Sequence, residues 1–302
     1  MSKLALLNFI YLFSFINLMN ITEGPLQYPE PPEGWNDGDC QSLQNQSPID
    51  IPSVKDISLI LDNGSHAKIK NLGYSIINSG EVKFDHKHKW TTQELNVGYI
   101  EIELNRTLYK YKLHSIHFHL YSEHRLENHQ YPMEMHMVHK NMNKNDKQNE
   151  NLVIGILFDY NSETDNEFLK NMNLSNEKKI NGANILSLIN KTEEFYYYKG
   201  GLTTIPCTEN VNWIVFRDIK HMSFNQFDKF RKWIENSNMK YYGVGYGNAR
   251  GPKRLNGRKI YLENRIKEGT SFVKYLLILM FIIALIVFYF FYFHKISKQK
   301  VD

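Results

Sequence analysis

His117 and His119 flank Phe118 in the stretch Leu113-His114-Ser115-Ile116-His117-Phe118-His119-Leu120. On a β-strand, side chains alternate between faces. The two histidines then project to one side while Ile116, Phe118 and Leu120 face the other. A second histidine-bearing segment follows shortly, Pro132-Met133-Glu134-Met135-His136-Met137-Val138-His139. If the two segments pair antiparallel, His136 meets His117 and His119 from the neighbouring strand. Three neutral imidazoles with a fourth position open are the ligand set of a catalytic zinc. His139 is out of phase with His136 and should point away from such a site, as a hydrogen-bonded core histidine.

Positioning those side chains requires a sheet. Short β-rich segments separated by Gly and Asn recur along the chain: Ile57–Leu61, Ala67–Asn71, Tyr74–Asn78, Glu81–Phe84, Tyr99–Leu104, Leu108–Leu120, Glu134–Lys140 and Leu152–Phe158. Helical periodicity is confined to 163–172, 184–190 and 224–236, the last opened by Ser223 as N-cap. The Lys- and Asn-rich run 142–151 reads as a solvated loop. A mainly β (α+β) single domain with a few peripheral helices is the expected class.

At 302 residues there is room for one large domain plus targeting segments. Residues 1–22, with Lys3 followed by a short apolar run, read as a secretory signal peptide, an N-terminal membrane anchor being the alternative. The domain is expected over 26–265. Residues 275–293 carry no charge, Gly or Pro, and end in aromatics followed by Lys295, Lys298 and Lys300. That pattern predicts a transmembrane helix with a cytoplasmic tail, 294–302, and the domain outside the cell or in the lumen of the secretory pathway, as a single-pass type I protein. A lipid-anchor signal is the alternative, but it would end in its hydrophobic tail. Cys40 and Cys207 are the only cysteines. They suit an oxidising compartment and either bridge or stay free. Asn63, Asn105, Asn173 and Asn190 open glycosylation triplets. The net charge of +4, with no basic run interleaved with aromatics in the ectodomain, gives no argument for a nucleic-acid partner. Oligomeric state is not legible.

Five motifs in order carry a resemblance: Gln46-Ser47-Pro48-Ile49-Asp50-Ile51, His117-Phe118-His119, Ser122-Glu123-His124, Glu134 to His139, and Gly201-Leu202-Thr203-Thr204-Ile205-Pro206-Cys207. Together, from about Trp35 to Arg258, the chain resembles an α-class carbonic anhydrase of the membrane-anchored extracellular type. The resemblance implies a large, mostly antiparallel twisted sheet with zinc, held by His117, His119 and His136, at the floor of a cone-shaped cleft. It implies that a zinc-bound hydroxide hydrates CO2 reversibly to bicarbonate and a proton. Zinc lowers the pKa of bound water to about 7, a value for which carbonic anhydrase is itself the reference case. Glu123 and Thr203 take the catalytic role of orienting the hydroxide, Glu123 accepting the Thr203 hydroxyl proton. Thr203, Thr204, Val138, Val153 and Leu202 would bind substrate, with Val211 and Trp213 extending the apolar wall. Glu134 and Ser115 would support the ligands from behind. Cys40 and Cys207 would form a bridge that braces the loop carrying Thr203. Asn248 and Arg250 match a structural segment, and His124 is expected as a hydrogen-bonded core residue. The alternative function is a non-catalytic carbonic-anhydrase-like cell-surface binding or adhesion ectodomain.

Three departures stand out. Glu81 occupies the position of the proton-shuttle His of the fastest members. A carboxylate with a pKa near about 4.3 relays protons less well at neutral pH than an imidazole near about 6.5. Slower catalysis that buffer rescues is expected, unless His86 or His88 substitutes. Ser115 replaces a longer Gln, which predicts weaker zinc retention. Leu120-Tyr121 replaces Trp-Gly, which alters packing but not the ligand set.

Overall fold

The computed structural model describes residues 38–42, 44–55, 60–61, 66–79, 83–84, 91–93, 95–173, 180–235, 248–264 and 276–289. Among them are β1 (Asp50–Ile51), β2 (Ile60–Leu61), β3 (Ala67–Tyr74), β4 (Ile77–Asn78), β5 (Lys83–Phe84), β6 (Thr91–Gln93), β7 (Gly98–Leu104), β8 (Thr107–His119) and β9 (Arg125–Leu126). Then follow β10 (His129–Gln130), β11 (Met133–Asn141), β12 (Asn151–Ser162), β13 (Asn181–Ala183), β14 (Phe195–Gly201), β15 (Glu209–Phe216), β16 (Lys220–Ser223) and β17 (Ile260–Glu263). Helices cover Glu167–Met172 and Phe224–Glu235.

Twelve strands form one sheet, with the main path β2-β17-β14-β15-β12-β11-β8-β6-β5. The expectation of a mostly antiparallel sheet is corrected here: the sheet is mixed. β12 runs parallel to both β15 and β16, and β17 runs parallel to β2. The long connection after β12 carries a helix and β14 before β15 returns beside β12 in the same direction, the crossover that parallel neighbours require.

The central strands are buried on both faces. Met133, Met135 and Met137 of β11 join Ile116, Phe118, Ile154, Ile156 and Phe158 in one apolar cluster. Val153, Leu157, Tyr198, Val211, Trp213 and Val215 form a second. Odd and even positions of β12 divide between the two, as the two-residue period of a strand requires. The helix Phe224–Glu235 packs under the first cluster, with the rings of Phe118 and Phe230 6.0 Å apart. Ser223 caps it as expected: its Oγ accepts the Gln226 N–H at 3.1 Å, and Gln226 Oε1 accepts the Ser223 N–H at 3.3 Å. The expected helix over 184–190 is instead a single 3-10 turn, Ile185–Ser187, after the Asn184 side chain accepts the Leu186 N–H.

No helix among the described residues is long and apolar enough to cross a membrane. A helix at 276–289 exposes large apolar side chains, Leu277, Phe281 and Phe288 among them. The ends of the expected 275–293 span lie outside the described residues, as do the expected signal peptide 1–22, the tail 294–302, and Glu81, His86 and His88.

Candidate metal centre

Strands β8 and β11 pair antiparallel with His136 opposite His117 and Glu134 opposite His119. The register delivers what residue spacing foresaw. The three ring centroids lie 4.5–5.1 Å apart. One nitrogen from each of His117, His119 and His136 lies within 4.8 Å of the other two.

Hydrogen bonds fix which nitrogens face the centre. His119 Nδ1–H donates to the Asn248 carbonyl at 3.1 Å. His119 Nε2 is buried and makes no hydrogen bond. His136 Nε2–H donates to Glu134 Oε1 at 2.8 Å, which turns Nδ1 towards His117 Nε2 at 3.3 Å. That separation is the edge of a tetrahedron with arms of about 2.05 Å, the zinc–imidazole distance. Burial pushes the His119 ring down to about 4 and lowers His136 as well. Both rings are therefore neutral near pH 7 and present lone pairs.

Glu123 and Glu134 approach the rings from behind and beside, with opposite electrostatic outcomes. Burial pushes Glu123 up to about 7, opposed by His136, the Thr203 hydroxyl and the Arg250 N–H. Burial raises Glu134 too, but His124 and His136, by charge and hydrogen bonding, hold it well below the usual carboxylate range. Glu134 Oε1 accepts from both His124 Nδ1 and His136 Nε2, and Oε2 accepts the Glu123 and His124 N–H groups, each at 2.8 Å. Glu123 Oε1 accepts the Arg250 N–H at 2.8 Å and lies 3.4 Å from His119 Nδ1. Its Oε2 has no hydrogen-bond partner among the described residues, although the buried Thr203 side chain is near enough to favour its charged form.

A second cluster, His124, Glu134 and His136, also meets the spacing for a metal. Its lone pairs are already committed. His124 donates from Nδ1 to Glu134, and its Nε2 accepts from Tyr198 Oη at 2.7 Å. His124 is the hydrogen-bonded core residue that the sequence suggested. The chain of bonds runs on: Tyr198 Oη meets Ser47 Oγ at 2.8 Å, and Ser47 Oγ accepts the Gly201 N–H at 3.2 Å. Tyr198 and Gly155 escaped the sequence reading. Gly155 lies opposite His136, and a Cβ there would sit 2.7 Å from Glu134 Oε1. The aromatic run of β14 was the available signal for Tyr198; for Gly155 there was none without the register.

The other expected site residues divide. Val138, Val153, Leu202, Val211 and Trp213 share one apolar cluster, with Val138 and Leu202 only partly buried. Cys40 and Cys207 are bridged. Arg250 joins the surrounding loops, donating to Gln46 Oε1, the Ser47 carbonyl and the Cys40 carbonyl. Asn248 brackets the end of β8 through the Phe118 carbonyl and the Leu120 N–H. Thr204 is exposed, its carbonyl accepting the Cys207 N–H at 2.7 Å. Ser115 is buried opposite Val138 and makes no direct hydrogen bond to His117 among the described residues.

The eukaryotic-type carbonic anhydrase family model matches residues 30–264. The chain belongs to the α-carbonic anhydrase family. Alpha carbonic anhydrase 4 of Arabidopsis thaliana is 30% identical over 248 residues, covering 75% of this chain and 85% of the relative. A carbonic anhydrase from Chlamydomonas reinhardtii, solved in complex with acetazolamide, superposes with a TM-score of 0.58 at 26% identity, over 77% of this chain and 95% of that one. Dioscorin, solved in complex with ascorbate, shares the fold with a TM-score of 0.59 at 22% identity, over 76% of this chain and 90% of that one. Carbonic anhydrases of this class use zinc. The bare His119 Nε2 and the 3.3 Å nitrogen pair of this member fit such a metal.

Proposed function

We propose that this chain catalyses the reversible hydration of CO2 to bicarbonate and a proton, with zinc held by His117, His119 and His136. The observation that carries the reading is the convergence of three imidazoles, one with a buried bare Nε2, beside the buried Glu123. Zinc bound there supplies a Lewis-acid charge that makes water nucleophilic near neutral pH. This chain's residues do the rest. Glu134 and Asn248 hold the His136 and His119 rings in the tautomers that turn a lone pair inward. Glu123, with Oε1 occupied by the Arg250 N–H, leaves Oε2 to accept a hydrogen bond from the Thr203 hydroxyl. The Thr203 oxygen would then be left as a hydrogen-bond acceptor, able to orient a hydroxyl beside the three imidazoles. Val138, Val153 and Leu202 offer a dry wall for an apolar substrate, with Thr203 and the exposed Thr204 on its polar side.

The deciding test is zinc content together with sulfonamide-sensitive CO2 hydration by the purified protein. An α-carbonic anhydrase from Thermovibrio ammonificans, 26% identical with a TM-score of 0.54, is solved with the inhibitor sulfanilamide. Stoichiometric zinc and activity lost in His117→Ala are expected. Thr203→Ala should retain zinc and lose roughly 100-fold in kcat, the scale of one orienting group. A zinc-free, inactive protein would instead favour the non-catalytic binding ectodomain. With Glu81 in the shuttle position, turnover should rise with buffer concentration; a high, buffer-independent kcat would refute that part. We also propose membrane attachment through 275–293, with the domain outside the cell or in the lumen, a reading that rests on the apolar run of the sequence. Partition of the full chain into detergent, compared with a chain ending at 265, tests it.

A further inference from the structure

Four register pairs beyond His117 and His136, strands β8 and β11 place Lys112 directly opposite Lys140. Like charges facing each other across a ladder are destabilising unless something lies between them. The ladder slips just before that pair: Val138 faces Ser115, but His139 faces Leu113, so His114 is the extra residue of a β-bulge. Bulges re-aim side chains, and here Lys112 and His114 are both exposed, with the buried Leu113 between them. Lys112, His114 and Lys140, with Leu95 and Leu113, line one cavity of about 210 Å³. Among the described residues no carboxylate lines it. Among the described residues Lys112 makes no ion pair, and Lys140 reaches only Glu150, at 3.8 Å, which Lys147 shares at 3.7 Å. Exposed pairs of that length contribute little.

We propose that this bulge cavity is a binding site for a small oxyanion, of the class that includes phosphate and bicarbonate, held by the Lys112 and Lys140 ammonium groups with His114 at its side. The site is about 13 Å along the strands from the histidine cluster at ~3.3 Å per residue. It is separate from the metal centre and does not depend on the hydration activity. Two ammonium groups supply up to six donors, enough for every oxygen of a small oxyanion. The anion would also offset the repulsion between the opposed lysines.

Thermal unfolding of the full chain at fixed ionic strength tests this, with inorganic phosphate in one arm, bicarbonate in a second and chloride as reference. Saturable stabilisation above the chloride level in either arm is expected, and the arm that responds identifies the ligand. Lys112→Gln and Lys140→Gln should each weaken the apparent affinity roughly tenfold, as expected for a lost charge-assisted contact. Lys147→Gln, outside the cavity, should not. Without anion, Lys112→Gln should melt no lower than the parent, which separates loss of a ligand contact from loss of folding. A response in both arms no larger than that of chloride, or an undiminished response in the two cavity variants, overturns the proposal.

Discussion

Glu134 shows how much one carboxylate can organise. Its two oxygens take four hydrogen bonds, from the His124 and His136 rings and from the Glu123 and His124 backbone. All four partners are N–H donors, so the site calls for an acceptor that is negative and fully deprotonated, and the lowered pKa of Glu134 expresses that. In Glu134→Gln one of the two atoms becomes a donor facing donors. The His136 ring then loses its anchor and its fixed tautomer. Zinc affinity should drop about 10–100-fold, the usual cost of removing a ligand's supporting partner. Chelator competition measures it, and an unchanged dissociation constant would show that the β8–β11 register alone orients His136. The spacing of His117, His119 and His136 was readable because a strand's parity is a property of the chain itself. The chain of bonds from Glu134 through His124 and Tyr198 to Ser47 spans 47 to 198 and exists only once distant strands pair.

At the level of elements, β8 and β11 were legible nearly to the residue, because both are long and their apolar positions are unambiguous: the expected 108–120 and 134–140 became Thr107–His119 and Met133–Asn141. β14 and β15 were not read at all, although they fill the centre of the sheet. Their sequences, Phe195 to Gly201 and Glu209 to Phe216, are buried on both faces and so show no alternation to detect. The parallel β12–β15 pairing was equally hidden, since strand direction is set by the crossover and not by local pattern. β12 carries a prediction of its own. Gly155 leaves the space that the Glu134 carboxylate occupies, and an added Cβ would meet Oε1 at 2.7 Å. Gly155→Ala should therefore weaken zinc binding several-fold without touching a ligand, while raising helix or strand propensity little. Equal zinc affinity in Gly155→Ala and the parent would mean that the carboxylate shifts without disturbing His136.

Over the whole molecule, two buried features tie stability to conditions. The Cys40–Cys207 bridge closes a separation of 167 residues beside the loop that carries Thr203. Reduction should cost about 2–5 kcal/mol in urea unfolding, by freeing the unfolded chain. Equal midpoints in oxidised and reduced protein would refute this. The second feature is His139, buried between Tyr74 and its own strand. Its Nδ1–H donates to the Met137 carbonyl at 2.9 Å, and its Nε2 meets Tyr74 Oη at 2.8 Å. Burial pushes the ring down to about 3 from the ordinary 6.5. The unfolded chain therefore takes up a proton here as pH falls below about 6.5, while the folded chain does not until about 3. The stabilising effect is complete above pH 6.5 and is lost progressively across that window. Between pH 7.5 and 5 this one group should remove about 2 kcal/mol, at ~1.36 kcal/mol per pH unit below 6.5. His139→Gln should be less stable at pH 7.5 yet lose about that much less on acidification, because Gln has no proton to gain in the unfolded state. Parallel pH profiles for the two proteins would show that His139 is not held neutral by the fold.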